Sequence, residues 1–126
     1  MADITPATPP EISLIQAYGN GGFRISGVAH VGSVVVLPAR VEPWPIAAAA
    51  ELVADSLEIV IAAEPRVELL LVGCGVRSAL LPSALRRRLR AAGIAVEPMD
   101  TGAACRTYNV LVAEGRRIAA ALMAIS

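Results

Sequence analysis

Residues 67–75, reading Val-Glu-Leu-Leu-Leu-Val-Gly-Cys-Gly, constrain the fold more than any other part of the chain. A continuous apolar run stopped by glycines is the pattern of a parallel strand buried on both faces, which demands covering layers on each side of its sheet. The glycines permit a tight turn and a close backbone approach at the carboxyl end. In open α/β sheets that edge is where ligands bind.

The residues that follow complete a parallel unit. Pro82 stands at a first helical position, Leu85, Leu89 and Ala92 form an apolar stripe, and Gly93 ends the helix. Residues 94–99 are the next strand. Strand, crossover helix and strand over 67–99 give a parallel, right-handed βαβ unit. Asp100 or Thr101 then caps a second helix over 102–114, stopped by Gly115. The tail, 117–125, is rich in alanine and helical on propensity. The break at Gly115, and a sheet edge that still lacks cover, make it a strand.

Upstream, 12–18 and 23–26 flank Gly19-Asn20-Gly21-Gly22 and read as a hairpin. Gly27 and Gly32 punctuate the next segment, and 33–37 is a β-branched run halted by Pro38. The first third is therefore an antiparallel β-meander. Pro38, Pro43 and Pro45 hold the chain extended around Trp44. A helix over 57–63, capped by Asp55 or Ser56, ends at Glu64-Pro65; one helix over 46–63 is the alternative. Residues 1–11, with neither a basic region nor an apolar core, read as a flexible N-terminal leader, and 12–126 as a single α/β domain.

Charge narrows the function classes. Eleven arginines balance eleven acids, there is no lysine, and the net charge is zero. Such a chain has no electrostatic reason to seek nucleic acid or anionic lipid. Arg86, Arg87, Arg88 and Arg90 fall on one helix and read as a solvated face. Glu51, Asp55 and Glu58 interrupt the longest apolar candidate, so no membrane span is expected. Zero net charge with 56% hydrophobic residues favours self-association, hence a homodimer. Two cysteines without a secretory signal imply reduced thiols and a cytoplasmic protein.

The carboxyl ends of the two parallel strands place the 73–78 loop and the 100–108 helix start around one crevice. Gly73 and Gly75 match two glycines of a dinucleotide fingerprint; the third is missing and the helix opens too late. Arg77 beside them is an anion candidate or a surface ion-pair partner. At the helix start, the amides of Gly102, Ala103 and Ala104 form an anion site or simply a capped terminus. Arg106 and Asn109 share one helix face; Thr101, Cys105 and Tyr108 share a neighbouring one. Tyr108 reads as a core aromatic. Cys74 and Cys105 stand on two sides of the crevice, where Cys105 in the first helical turn would have a lowered pKa; the plainer reading is two small buried side chains. His30, the single histidine, has no ligand-spaced partner. The crevice candidates are thus Gly73, Cys74, Gly75, Arg77, Asp100, Thr101, Gly102, Cys105, Arg106, Tyr108 and Asn109, with no catalytic set, metal or cofactor.

Several strings together resemble a known family: Ala17-Tyr18-Gly19, Gly22-Phe23-Arg24-Ile25-Ser26-Gly27, Leu71-Val72-Gly73-Cys74-Gly75, Met99-Asp100-Thr101-Gly102-Ala103-Ala104-Cys105-Arg106-Thr107-Tyr108-Asn109, and Glu114-Gly115-Arg116. They resemble a small α/β family of unknown function that includes a mitochondrial respiratory complex I assembly factor and many uncharacterised bacterial proteins. The likeness runs over residues 12–123. It implies a three-layer fold with a central mixed sheet and a final antiparallel strand, a family with no established enzymatic activity, and a eukaryotic member that acts through protein partners. The expected function is a non-enzymatic protein-interaction or assembly module with an as yet unidentified protein partner. The alternative is a small-molecule or anion-binding protein, or a weak enzyme, using the crevice.

Overall fold

The computed structural model describes residues 12–126; the expected leader, 1–11, lies outside the described residues. Two sheets form. The first is a three-stranded antiparallel meander of β1 (Ile15–Gly19), β2 (Gly22–Ile25) and β3 (Val28–Val31). Ser26 and Gly27, both at positive φ (47° and 85°), make the two-residue turn whose twist matches its flanking strands.

The second sheet is mixed and five-stranded: β4 (Val34–Val36), β5 (Val41–Pro43), β6 (Leu69–Gly73), β7 (Ala95–Met99) and β8 (Ile118–Leu122), in the spatial order β5-β4-β8-β6-β7. Strand β6 runs parallel to β7 and β8, while β4 runs antiparallel to β5 and β8. The crossover from β6 to β7 carries α2 (Ser83–Ala91), and α3 (Thr101–Ala113) connects β7 to β8.

Alternation along the central strands divides the core in two. Val35 of β4, Leu70 and Val72 of β6, and Ala119, Ala121 and Met123 at β8 pack with Trp44, Leu57, Leu85 and Leu89 on the α2 face. Val34, Val36, Leu71, Ile118, Ala120 and Leu122 pack on the other face with Ala104, Tyr108 and Val112 of α3 and with Phe23 and Ile25 of the meander. The layers are thus α2, mixed sheet, then α3 with the three-stranded sheet. This is the three-layer α/β fold expected, with its mixed sheet, antiparallel meander and parallel βαβ unit.

Three details differ from the sequence reading. The 33–37 run leaves the meander and joins the mixed sheet as β4, because its consecutive valines need burial on both faces. The helix expected over 57–63 is present but shorter, as α1 (Glu58–Ile61), and the alternative of one helix over 46–63 fails, because that stretch makes only a 3-10 turn at Ala49–Glu51 before extended Leu52 (φ −71°, ψ 135°) interrupts it. The tail strand does not cover an edge: β8 is the middle strand, and all five of its residues are buried. Its small alanines let α3 and the α2 layer approach from opposite sides.

Candidate functional site at the carboxyl end of the parallel strands

The loop after β6 and the start of α3 meet, as their placement on adjacent strands requires, but they are stitched together. Thr101, fully buried, donates from its backbone N–H to the Gly75 carbonyl (2.8 Å). Its Oγ1 accepts from the Gly75 N–H (2.9 Å) and donates to the Met123 carbonyl (2.8 Å). The Cys74 N–H donates to the Met99 carbonyl (2.8 Å) and the Met123 N–H to the Gly73 carbonyl (2.9 Å). One threonine therefore ties together β6, α3 and the residue following β8.

Gly73 makes that junction possible. A Cβ on it would lie 2.9 Å from the Thr101 Cα and 3.1 Å from Leu122 Cδ2, so any side chain would push the helix off the sheet. The glycine serves a close approach of backbone to backbone.

Most of the α3 amides expected to receive an anion are already engaged. Asp100 Oδ1 accepts from the Ala103 N–H (2.8 Å), the Asp100 carbonyl accepts from the Ala104 N–H (3.0 Å), and Thr101 N–H is taken by Gly75. The Asp100 carboxylate itself occupies the positive end of the helix.

The two cysteines do not form a couple. Cys74 belongs to the core on the α2 face, and Cys105 to the core on the α3 face, with the sheet between them. Both thiols are free and buried. Burial pushes the Cys74 thiol up, against smaller opposing effects of hydrogen bonds with the Ala79 and Met99 backbone. Burial also drives Cys105 up to about 12, more than the nearby Arg106 charge lowers it. The lowered pKa expected from its helical position is overturned, because loss of water outweighs the helix terminus. Tyr108 is a buried core aromatic whose hydroxyl is likewise raised by desolvation to about 12.

Arg106 and Asn109 face the meander, away from the β6 loop. The Asn109 Oδ1 accepts from the Ile15 N–H (2.9 Å) and its Nδ2 donates to the Ile15 carbonyl (2.8 Å). Arg106 donates to the Tyr18 hydroxyl (3.2 Å). Gly102 completes this contact, since a Cβ there would sit 2.6 Å from the Tyr18 hydroxyl. Arg77 is exposed in the loop after β6.

Tyr18 was not among the crevice candidates. The chain has four aromatic residues, one Trp, two Tyr and one Phe, and Trp44, Phe23 and Tyr108 are buried. Tyr18 alone is substantially exposed, at 40%. An aromatic directly before the glycine turn was a signal available in the sequence; its pairing with a helix 88 residues away was not.

An open depression of about 340 Å³ lies along the hairpin, with Ala17, Gly22, Arg24 and Ala29 among its lining residues. None of the crevice candidates lines it. Beside the stitched junction, the loop after β6 presents Val76 and Leu80, 77% and 83% exposed. No helix among the described residues is long and apolar enough to cross a membrane, and they contain no cluster of three potential metal ligands.

The chain is similar to known proteins in sequence and in fold. The family model for proteins of unknown function DUF498/DUF598 matches residues 15–123. An uncharacterised protein of Rhodobacter capsulatus is 41% identical over 109 residues, 86% of this chain and 82% of its own length. The human NADH dehydrogenase [ubiquinone] 1 alpha subcomplex assembly factor 3 is 38% identical over 109 residues, which span 86% of this chain but 59% of the human protein. Among solved structures, a Bartonella henselae protein described as an outer membrane protein superposes with a TM-score of 0.86 at 38% identity, covering 93% of this chain and 98% of that one.

Proposed function

Because the chain belongs to the DUF498/DUF598 family of proteins of unknown function, we propose that it is a non-enzymatic interaction or assembly module of the cytoplasm that docks another protein. The observation that carries this reading is the contrast at the carboxyl end of the parallel strands. The polar groups there are spent on Thr101, Asp100 and Gly75 within the chain, whereas Val76 and Leu80 point their apolar side chains into solvent. Such a surface supports binding through shape and apolar contact. The assembly role of the human relative supports a protein partner. Two free, buried thiols support a reducing compartment.

Gentle affinity capture with the tagged chain from its native lysate tests the proposal. A stoichiometric protein partner is expected, and Val76→Glu with Leu80→Glu is expected to release it while leaving the fold unchanged. Recovery of no stoichiometric partner overturns the reading.

A further inference from the structure

The two sheets expose four edges, and three of them are guarded. Asn109 occupies the outer edge of β1 at Ile15. Strand β5 ends in Glu42 and Pro43, and β7 carries Glu97 and Pro98. Charges and prolines are the usual means of stopping an edge from recruiting another strand. Strand β3 reads Val-Ala-His-Val, with no proline and no acidic or basic guard beyond His30.

The hydrogen-bond alternation fixes which β3 groups face outward. The Gly32 N–H donates to the Gly21 carbonyl (2.8 Å), and Gly22↔Val31, Phe23↔His30, Arg24↔Ala29 and Ile25↔Val28 are the strand pairs. Bonded and non-bonded pairs alternate along an antiparallel ladder, so Val28 and His30 bond to β2 while the N–H and C=O of Ala29 and Val31 point away from it. Those groups make no hydrogen bond among the described residues. Val28 and Val31 flank them, 57% and 95% exposed.

We propose that the β3 edge pairs with β3 of a second copy of this chain, joining two meanders into one six-stranded antiparallel sheet about a two-fold axis perpendicular to it. An extended strand satisfies the outward groups of Ala29 and Val31 together, where a single side chain such as Asn109 serves one residue. A second copy is the occupant because β3 is self-complementary. Residues facing each other across an antiparallel pair share a face, so the two-fold must relate positions of the same parity. Setting Ala29 opposite the other copy's Val31, and Val31 opposite its Ala29, forms two bonded pairs entirely from strand residues. A register shifted by two either way would need Gly27 or Gly32, both at positive φ (85°), in the ladder. In the remaining register His30 meets His30 at the axis. Zero net charge opposes neither copy. So short an edge belongs with small interfaces, under about 1,200 Å² in total, which form transient pairs.

This goes beyond the docking of a different protein and is separable from it, because the measurement uses the purified full chain alone. Sedimentation equilibrium from micromolar to millimolar protein should show the average mass rising toward twice that of one chain. Val31→Lys, at a residue 95% exposed in the single chain, should reduce association at least tenfold with an unchanged circular dichroism spectrum. His30→Glu and His30→Lys should each weaken self-pairing, and mixing the two should restore it, which only the stated register produces. A chain that stays monomeric throughout, or a dimer indifferent to Val31→Lys and to the mixed His30 variants, overturns the proposal. Dimerisation by any other surface counts as the second of these results.

Discussion

The carboxamide of Asn109 stands in for a neighbouring strand at Ile15, accepting from its N–H and donating to its carbonyl across 94 residues of sequence. A single helical side chain thereby fastens the meander to the α3 layer and closes an edge that would otherwise be open.

Replacing Asn109 with Ala removes both bonds and leaves two half-buried backbone groups without these partners. The expected loss is about 1–3 kcal/mol of unfolding free energy, read from urea denaturation. Amide exchange at Ile15 should accelerate more than exchange in β8. Asn109→Asp should fall short of rescue, because a carboxylate cannot donate to the Ile15 carbonyl.

Gly73→Ala and Gly102→Ala separate two kinds of crowding. At Gly73 the obstacle is the Thr101 backbone at 2.9 Å, so the helix itself must move. A loss of about 1–3 kcal/mol in thermal or chemical denaturation is expected. At Gly102 the nearest obstacle is the tip of the half-exposed Tyr18 ring, which can swing away. That substitution should leave stability nearly unchanged, since alanine favours the helix by about 1 kcal/mol. It should shift the Tyr18 ring resonances and abolish the Arg106 contact.

Thr101→Val keeps the shape of the buried side chain and removes the hydroxyl that serves Gly75 and Met123. A cost of about 1–3 kcal/mol is expected, and Thr101→Ser should recover most of it. Faster amide exchange at Gly75 in the valine variant would identify the lost acceptor.

Alkaline pH should destabilise the fold through Cys105 and Tyr108. Their ordinary values, 9.0 and 10.0, are both raised by burial to about 12 in the folded chain. The folded state thus holds protons that the unfolded state releases. Their contribution is fully present below pH 9.0 and is lost progressively as pH rises toward about 12. Each group between its two values adds a slope of about 1.4 kcal/mol per pH unit. Denaturation midpoints across this window should fall, and Tyr108→Phe should make the fall shallower. At neutral pH both thiols should react far more slowly with a thiol reagent in the native protein than in urea.

Strand β6, the βαβ unit, the hairpin and both main helices were legible because each writes its burial into local sequence. Residues 69–73 are apolar on both faces because both faces are covered; Leu85 and Leu89 mark the buried side of α2. The position of β8 was hidden, since a run of alanines states that neighbours are close without stating which neighbours. Placement of Asp100, Thr101 and the glycines at one end of the sheet followed from strand order. That their polar groups would satisfy one another, and that Asn109 and Arg106 would turn toward Ile15 and Tyr18, depends on how the meander folds back over α3. No local pattern encodes that distance.

Strand β8 lies between β4 and β6, yet it is translated after both. Until residue 122 clears the ribosome, the mixed sheet is split into two pieces, each presenting an apolar open edge with no partner. Synthesis proceeds at about 5–20 residues per second, so every nascent chain passes through an interval in which β4 and β6 are made and the strand that joins them is not. Emergence of β8, more than any earlier local step, joins the two pieces and closes both faces of the core.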